Sequence, residues 1–252
     1  MTVHFIGAGP GAGDLLTLRA VRLLTESAVC LYAGTYIGSD VLTHCPDGVT
    51  LVDTQHLHLD AIIEACVSAH ASGHDVARLC SGDPSLYSAI AEQTRRLDRA
   101  CVPWDVTPGV PAYAAAAALI GRELTVPEVA QSVVLTRAHR SSTPMPDTEA
   151  LENFARTRST LVLHLAVRQT REIMHTLAPH YGRECAVVVV ANAEQADQLV
   201  LRGTVSDIAG QVEQAGLTQA AVILVGPALG ARQADDFADS HLYGTRITRQ
   251  QN

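Results

Sequence analysis

Short apolar runs alternate with longer stretches in which apolar residues recur every three or four positions. Residues 2–6, 29–32, 49–52, 76–80 and 102–106 are β-rich and bounded by turn formers, which predicts five strands. Between them, residues 14–25, 60–72, 85–97 and 110–119 have helical periodicity; in the second, apolar residues at 62, 63, 66 and 67 form one stripe, which His70 continues. Strand–helix alternation of this kind predicts an α/β fold: a mostly parallel sheet with helices on both faces. Residues 121–131 interrupt the pattern with Gly121, Pro127 and three charges, and this places a domain boundary there: 1–119 as an N-terminal α/β domain and 120–252 as a C-terminal one. Beyond it, strands are predicted at 132–135, 160–165, 186–191, 199–204 and 220–225, and helices at 148–155, 169–180 and 206–215. From Ala231 the chain is polar and aperiodic, a tail that frays or crosses to a partner.

Composition narrows the chemistry. Hydrophobic residues are 47 % and charged residues 17 % of 252, as in a folded domain and not a disordered one. The longest apolar run, 112–120, is too short to span a bilayer, and residues 1–7 have no basic flank or cleavage pattern, so the expected compartment is the cytoplasm. The net charge of −8 argues against a broad nucleic-acid surface. All 18 basic residues are arginine; without lysine there is no Schiff base, no pyridoxal phosphate anchor and no P-loop. Arginine still grips carboxylates bidentately. The six cysteines form no C-x-x-C pair and read as reduced, mostly buried thiols; His70 and His74 have helical spacing but no accompanying acid, so no metal site is expected.

Three turns remain as candidate chemistry. Gly7-Ala8-Gly9-Pro10-Gly11-Ala12-Gly13-Asp14 joins a strand to a helix and fits the dinucleotide pattern G-x-G-x-x-A. Pro10 removes an N–H from such a cradle, and the second strand ends Tyr32-Ala33-Gly34 with no acid for a ribose hydroxyl, so an NAD-dependent oxidoreductase fits poorly. Ser81-Gly82-Asp83-Pro84 leads from the fourth strand, with Asp83 suited to a helix N-cap and Pro84 to the first helical position. Thr107-Pro108-Gly109-Val110-Pro111-Ala112 leads from the fifth into an Ala-rich helix. All three lie where parallel strands end, the edge at which α/β proteins bind ligands. Each also makes sense as a tight turn that packs helix on strand.

These motifs, in this order and spacing, resemble the tetrapyrrole methyltransferases of cobalamin and sirohaem synthesis. The resemblance covers residues 2–230 and includes Leu15-Leu16-Thr17-Leu18-Arg19-Ala20, residues 160–165, Ala191-Asn192-Ala193 and residues 221–227. Tyr32-Ala33-Gly34-Thr35, His44-Cys45-Pro46, Pro127-Glu128-Val129 and Leu135-Thr136-Arg137 resemble the branch that methylates C11 of precorrin-4, either metal-free or as its cobalt complex. The resemblance implies two α/β domains, a homodimer, and S-adenosylmethionine folded in an interdomain cleft, leaving as S-adenosylhomocysteine. Carried over residue by residue, the cofactor contacts are Pro10, Ser81, Gly82, Asp83, Leu86, Pro111, Ala112, Leu165, Asn192, Ala193 and Ala221. Ser88, Leu165 and Pro111 depart from the family pattern. Asp14, Thr17, Arg122 and Arg137 are candidates for orienting the polycarboxylate substrate. A sibling acting on another ring carbon or a non-tetrapyrrole, and a non-catalytic carrier, are the competing readings.

Overall fold

A computed structural model describes residues 1–139 and 144–230; the expected tail from Ala231 lies outside them. The described residues divide into two compact units, the first formed by 1–115 with 192–197 and the second by the rest.

The first unit is a five-stranded parallel sheet of β1 (Val3–Gly7), β2 (Val29–Tyr32), β3 (Thr50–Asp53), β4 (Val76–Cys80) and β5 (Trp104–Thr107), ordered β3-β2-β4-β1-β5. Its helices are α1 (Leu18–Glu26), α2 (Ser39–Leu42), α3 (Leu59–Ala71) and α4 (Ile90–Arg99). The two-residue period of a strand sends alternate side chains to opposite faces. Ile6, Cys30, Ala77 and Leu79 join Ala20, Leu23 and Leu24 of α1 and Val41 of α2 on one face. Val3, Phe5, Leu31 and Val76 join Ile62, Cys66 and Ala69 of α3 and Leu97 of α4 on the other. A sheet covered on both faces is the arrangement that near-continuous apolar strands require.

The second unit carries β6 (Val133–Arg137), β7 (Thr160–His164), β8 (Ala186–Ala191), β9 (Leu199–Thr204) and β10 (Ala221–Val225), ordered β6-β7-β10-β8-β9. Only β6 and β7 pair in parallel among these described strands; β10 is antiparallel to both β7 and β8, and β9 to β8. This differs from a uniform parallel alternation. The connection from β8 to β9 is short and contains no helix, so it returns the chain antiparallel. Leu161, Leu163, Val187, Val189 and Ile223 pack there with Ile173, Met174 and Leu177 of α7 (Thr170–Tyr181) and with Ile208 and Val212 of α8 (Ile208–Gln214). α5 (Ala112–Ile120) and α6 (Leu151–Ala155) are the remaining α-helices among the described residues.

Two helices begin four or more residues later than the periodicity predicts. A 3-10 turn at Gly13–Leu15 precedes α1, whose N-cap is Thr17, its side chain accepting from the Ala20 amide at 3.1 Å. α4 begins at Ile90 and not near residue 85, because Tyr87 and Ala89 adopt left-handed backbone (φ 55° and 51°) that no α-helix tolerates. Gln93 closes that helix start, donating to the Ser88 and Ala89 carbonyls at 3.3 and 3.1 Å. The six cysteines are free thiols; Cys30, Cys66 and Cys80 are buried, whereas Cys101 is exposed. Among the described residues no helix is long and apolar enough to cross a membrane.

Candidate active site

In the first unit the loops leaving β1, β4 and β5, three adjacent parallel strands, meet at one sheet edge. Their contacts are largely backbone on backbone. Gly9 N–H donates to the Gly82 carbonyl at 3.2 Å and Gly82 N–H to the Gly9 carbonyl at 2.8 Å, with φ of 72° and 67°. Both conformations suit glycine, which has no Cβ to clash. Where the loops leaving β1 and β5 cross, a Cβ on Gly7 would stand 2.6 Å from the Gly109 Cα and 2.9 Å from the Gly82 carbonyl oxygen. A Cβ on Gly109 would stand 2.8 Å from the Gly7 Cα. Only bare backbone fits at that crossing.

Asp83 ties two of these loops together. Its Oδ2 accepts from Gly109 N–H at 2.8 Å, and its Oδ1 accepts from Ser85 N–H at 2.8 Å and from the Ser85 hydroxyl. Partial burial pushes its pKa up, but hydrogen bonds from the Ser85 hydroxyl, Gly109 and the Ser85 amide outweigh it and hold the carboxyl below its usual range. Asp83 is therefore no helix N-cap here, since the helix it was expected to cap starts seven residues on, at Ile90.

The first loop has a second neighbour in the same unit, residues 192–197. Gln195 Nε2 donates to the Pro10 carbonyl at 3.4 Å, and a Cβ on Gly11 would meet the Ala193 carbonyl oxygen at 2.8 Å. Asn192 (φ 47°) and Glu194 (φ 61°) are left-handed, and Asn192 donates to Asp197 Oδ2 at 2.6 Å. This segment's contact with the first loop has no local sequence signal; family resemblance alone pointed to Asn192 and Ala193.

The rim thus gathers Pro10, Ser81, Gly82, Asp83, Leu86, Pro111, Ala112, Asn192 and Ala193 in one unit. Pro10 and Gly82 are buried, Ser81 is exposed and Leu86 half-buried; Tyr87 beside it is 46 % exposed. In the second unit, Leu165 follows β7 in left-handed conformation (φ 53°) with 47 % of its surface exposed, and Ala221 opens β10. A left-handed leucine costs roughly 1–2 kcal/mol, a cost often met at functional sites. Of the substrate candidates, Asp14 is exposed in the 3-10 turn, Thr17 caps α1, and Arg122 follows α5. Arg137 ends β6, half-buried, donating to the Ala138 and Pro144 carbonyls at 3.2 Å each.

Asp53, missed from the sequence, ends β3 and accepts from Gly34 and Gln55 N–H at 3.0 and 2.9 Å. These two bonds hold its carboxyl below the usual range. It anchors the loop after β2, where Gly38 packs near the Gly11 carbonyl.

The first unit's rim offers backbone amides, a hydroxyl and small apolar side chains. That set suits an adenosine carrying an amino-acid tail, recognised by hydrogen bonds and close contact, and it fits S-adenosylmethionine. A parallel sheet with a glycine-built rim at its strand ends is a ligand-binding architecture, and the family follows from the sequence: the chain matches the Tetrapyrrole (Corrin/Porphyrin) Methylases over residues 2–209 and belongs to that family. It is an S-adenosylmethionine-dependent methyltransferase. It is 52 % identical to the precorrin-4 C(11)-methyltransferase of Rhodococcus erythropolis, covering 99 % of each chain. It is 35 % identical to the cobalt-precorrin-4 C(11)-methyltransferase of Methanocaldococcus jannaschii, over 96 % of this chain and 92 % of that one. A solved cobalt precorrin-4 methyltransferase superposes with a TM-score of 0.87 at 34 % identity, over 90 % of this chain and 95 % of the other. A uroporphyrin-III C-methyltransferase from Thermus thermophilus, solved with S-adenosylhomocysteine, gives 0.74 at 27 % identity, over 91 % and 93 %.

Proposed function

We propose that this protein transfers a methyl group from S-adenosylmethionine to C11 of precorrin-4, giving precorrin-5 and S-adenosylhomocysteine in cobalamin synthesis. The observation that carries this is the 52 % identity, end to end, with an enzyme named for that reaction, against 35 % with one named for the cobalt substrate.

S-adenosylmethionine supplies an already activated methyl on a sulfonium, so the protein needs neither a nucleophile nor a metal of its own. Its task is alignment. Holding two reactants at near-attack distance is worth roughly 7–11 kcal/mol. Backbone loops locked to one another at Gly7, Gly9, Gly82 and Gly109 give the rigidity this requires. In this reading Pro10, Ser81, Gly82, Asp83, Leu86, Pro111, Ala112, Leu165, Asn192, Ala193 and Ala221 are the cofactor residues. Arg122 and Arg137 orient the substrate's carboxylates, and Asp14 and Thr17 stand beside the ring. The enzyme works in the cytoplasm as a homodimer, which sedimentation of the purified protein tests.

The deciding experiment supplies enzymatically made precorrin-4, metal-free or as its cobalt complex, with S-adenosylmethionine, and reads product mass. One added methyl in the metal-free reaction alone is expected. Methylation of the cobalt complex alone reassigns the substrate, and none in either reaction, with S-adenosylhomocysteine still bound, points to a different acceptor.

A further inference from the structure

We propose that Asp83, besides its place in the cofactor site, is a positioning residue: its carboxylate fixes the 107–111 loop in the shape that site needs, acting through that loop's backbone. The inference rests on the cofactor reading above and deepens it.

Three observations carry it. First, both carboxylate oxygens are engaged within the protein, Oδ2 by Gly109 N–H and Oδ1 by the Ser85 amide and hydroxyl. Second, the capping role that would otherwise explain an aspartate before a proline is void, because α4 starts at Ile90 under the side chain of Gln93. Third, the tethered loop sits where tolerance is smallest. Gly109 is pressed on Gly7 and Gly82, and the backbone at Pro111 and Ala112 lies 3.5 Å from where a Gly82 Cβ would stand. A shift at Gly109 therefore moves two of the residues expected to touch the cofactor. Close approach of bare backbone supplies repulsion that sets the spacing; the charged hydrogen bond supplies the attraction that holds it.

The carboxylate is specifically required. Both of its oxygens face N–H donors, so the amide of asparagine satisfies one and opposes the other. Asp83→Asn is expected to raise backbone hydrogen exchange across 107–112 about tenfold or more in the ligand-free protein. S-adenosylhomocysteine affinity should fall by a similar factor, with KM for S-adenosylmethionine rising more than kcat falls and KM for the macrocycle unchanged. Ser85→Ala leaves Oδ2 on Gly109 and should alter exchange and affinity by less than about twofold. Lost affinity with unchanged exchange in the ligand-free protein means that Asp83 serves the cofactor by direct contact alone and overturns the proposal; so does unchanged affinity. If Asp83→Asn does not fold, Asp83→Glu carries the same test, since it keeps the charge but displaces it by a methylene: exchange and affinity must change together. Failure of the wild type to bind S-adenosylhomocysteine would sink the cofactor reading, and the exchange comparison would still report on the tether.

Discussion

Gly9 and Gly82 bond each other in both directions, N–H to carbonyl at 3.2 and 2.8 Å, so the loops after β1 and β4 behave as a single piece of backbone. With Gly109 wedged against Gly7, the loop after β5 is added to that piece. A surface built this way is stiff without bulky side chains, which suits a reaction that depends on alignment.

Adding one methyl at the crossing should break it. Gly7→Ala and Gly109→Ala force a Cβ into neighbouring backbone that cannot rotate away. We expect a loss of about 1–3 kcal/mol in stability, as for overpacked cores, and loss of S-adenosylhomocysteine binding by calorimetry. Gly210→Ala, inside α8 with nothing within 4 Å, should instead stabilise by roughly 0.5–1 kcal/mol and leave binding unchanged. Equal effects at the three sites would discredit the close-approach account.

Thr17 is the N-cap of α1. Thr17→Ala should cost about 1 kcal/mol in urea unfolding, with Thr17→Ser recovering most of it. If Thr17→Ala leaves stability intact but raises KM for the macrocycle, its hydroxyl serves the substrate and not the helix.

His164, at the end of β7, has its pKa lowered from 6.5 by burial. The unfolded chain therefore takes up the proton first as pH falls, and stability present above about pH 6.5 is lost as pH drops toward the folded-state value. Unfolding free energies at pH 7.5 and 5.5 should differ less in His164→Gln than in the wild type. A parallel pair of slopes would show that this imidazole titrates as freely folded as unfolded.

Thiol labelling should separate the cysteines. Cys101 is exposed, whereas burial pushes Cys66 and Cys80 up to about 11. Since the thiolate is the reactive form, native protein at neutral pH should alkylate at Cys101 but at Cys66 and Cys80 only on unfolding. Early modification at Cys66, mapped by peptide mass, would mean that α3 opens readily.

Much of this architecture is legible in the sequence for a physical reason. Strands such as 76–80 and 186–191 are apolar runs bounded by turn formers, and the observed β4 and β8 span those same residues. The rim loops are equally visible, because glycine and proline mark backbone that side chains cannot replace. What fails is non-local. Apolar periodicity places a helix start near residue 85, but the carboxylate of Asp83 is drawn to Gly109, 26 residues away, and the chain between takes left-handed turns. Strand direction in the second sheet is likewise hidden, since Ala186–Ala191 is a continuous buried run that suits parallel and antiparallel neighbours alike. Asp53 escaped notice because nothing local distinguishes an acid at a strand end from a solvated one.

Gln195 reaches the Pro10 carbonyl across 185 residues of sequence. On the ribosome, the glycine loop after β1 emerges among the first segments made, yet its cover, residues 192–197, follows only after β6, β7 and β8. That cover hangs between β8 and β9, and β8 cannot join its sheet beside β7 until β10, last of the described strands, supplies the rung between them. The first loop synthesised therefore gains its Gln195 contact only after three strands of the second sheet have been made.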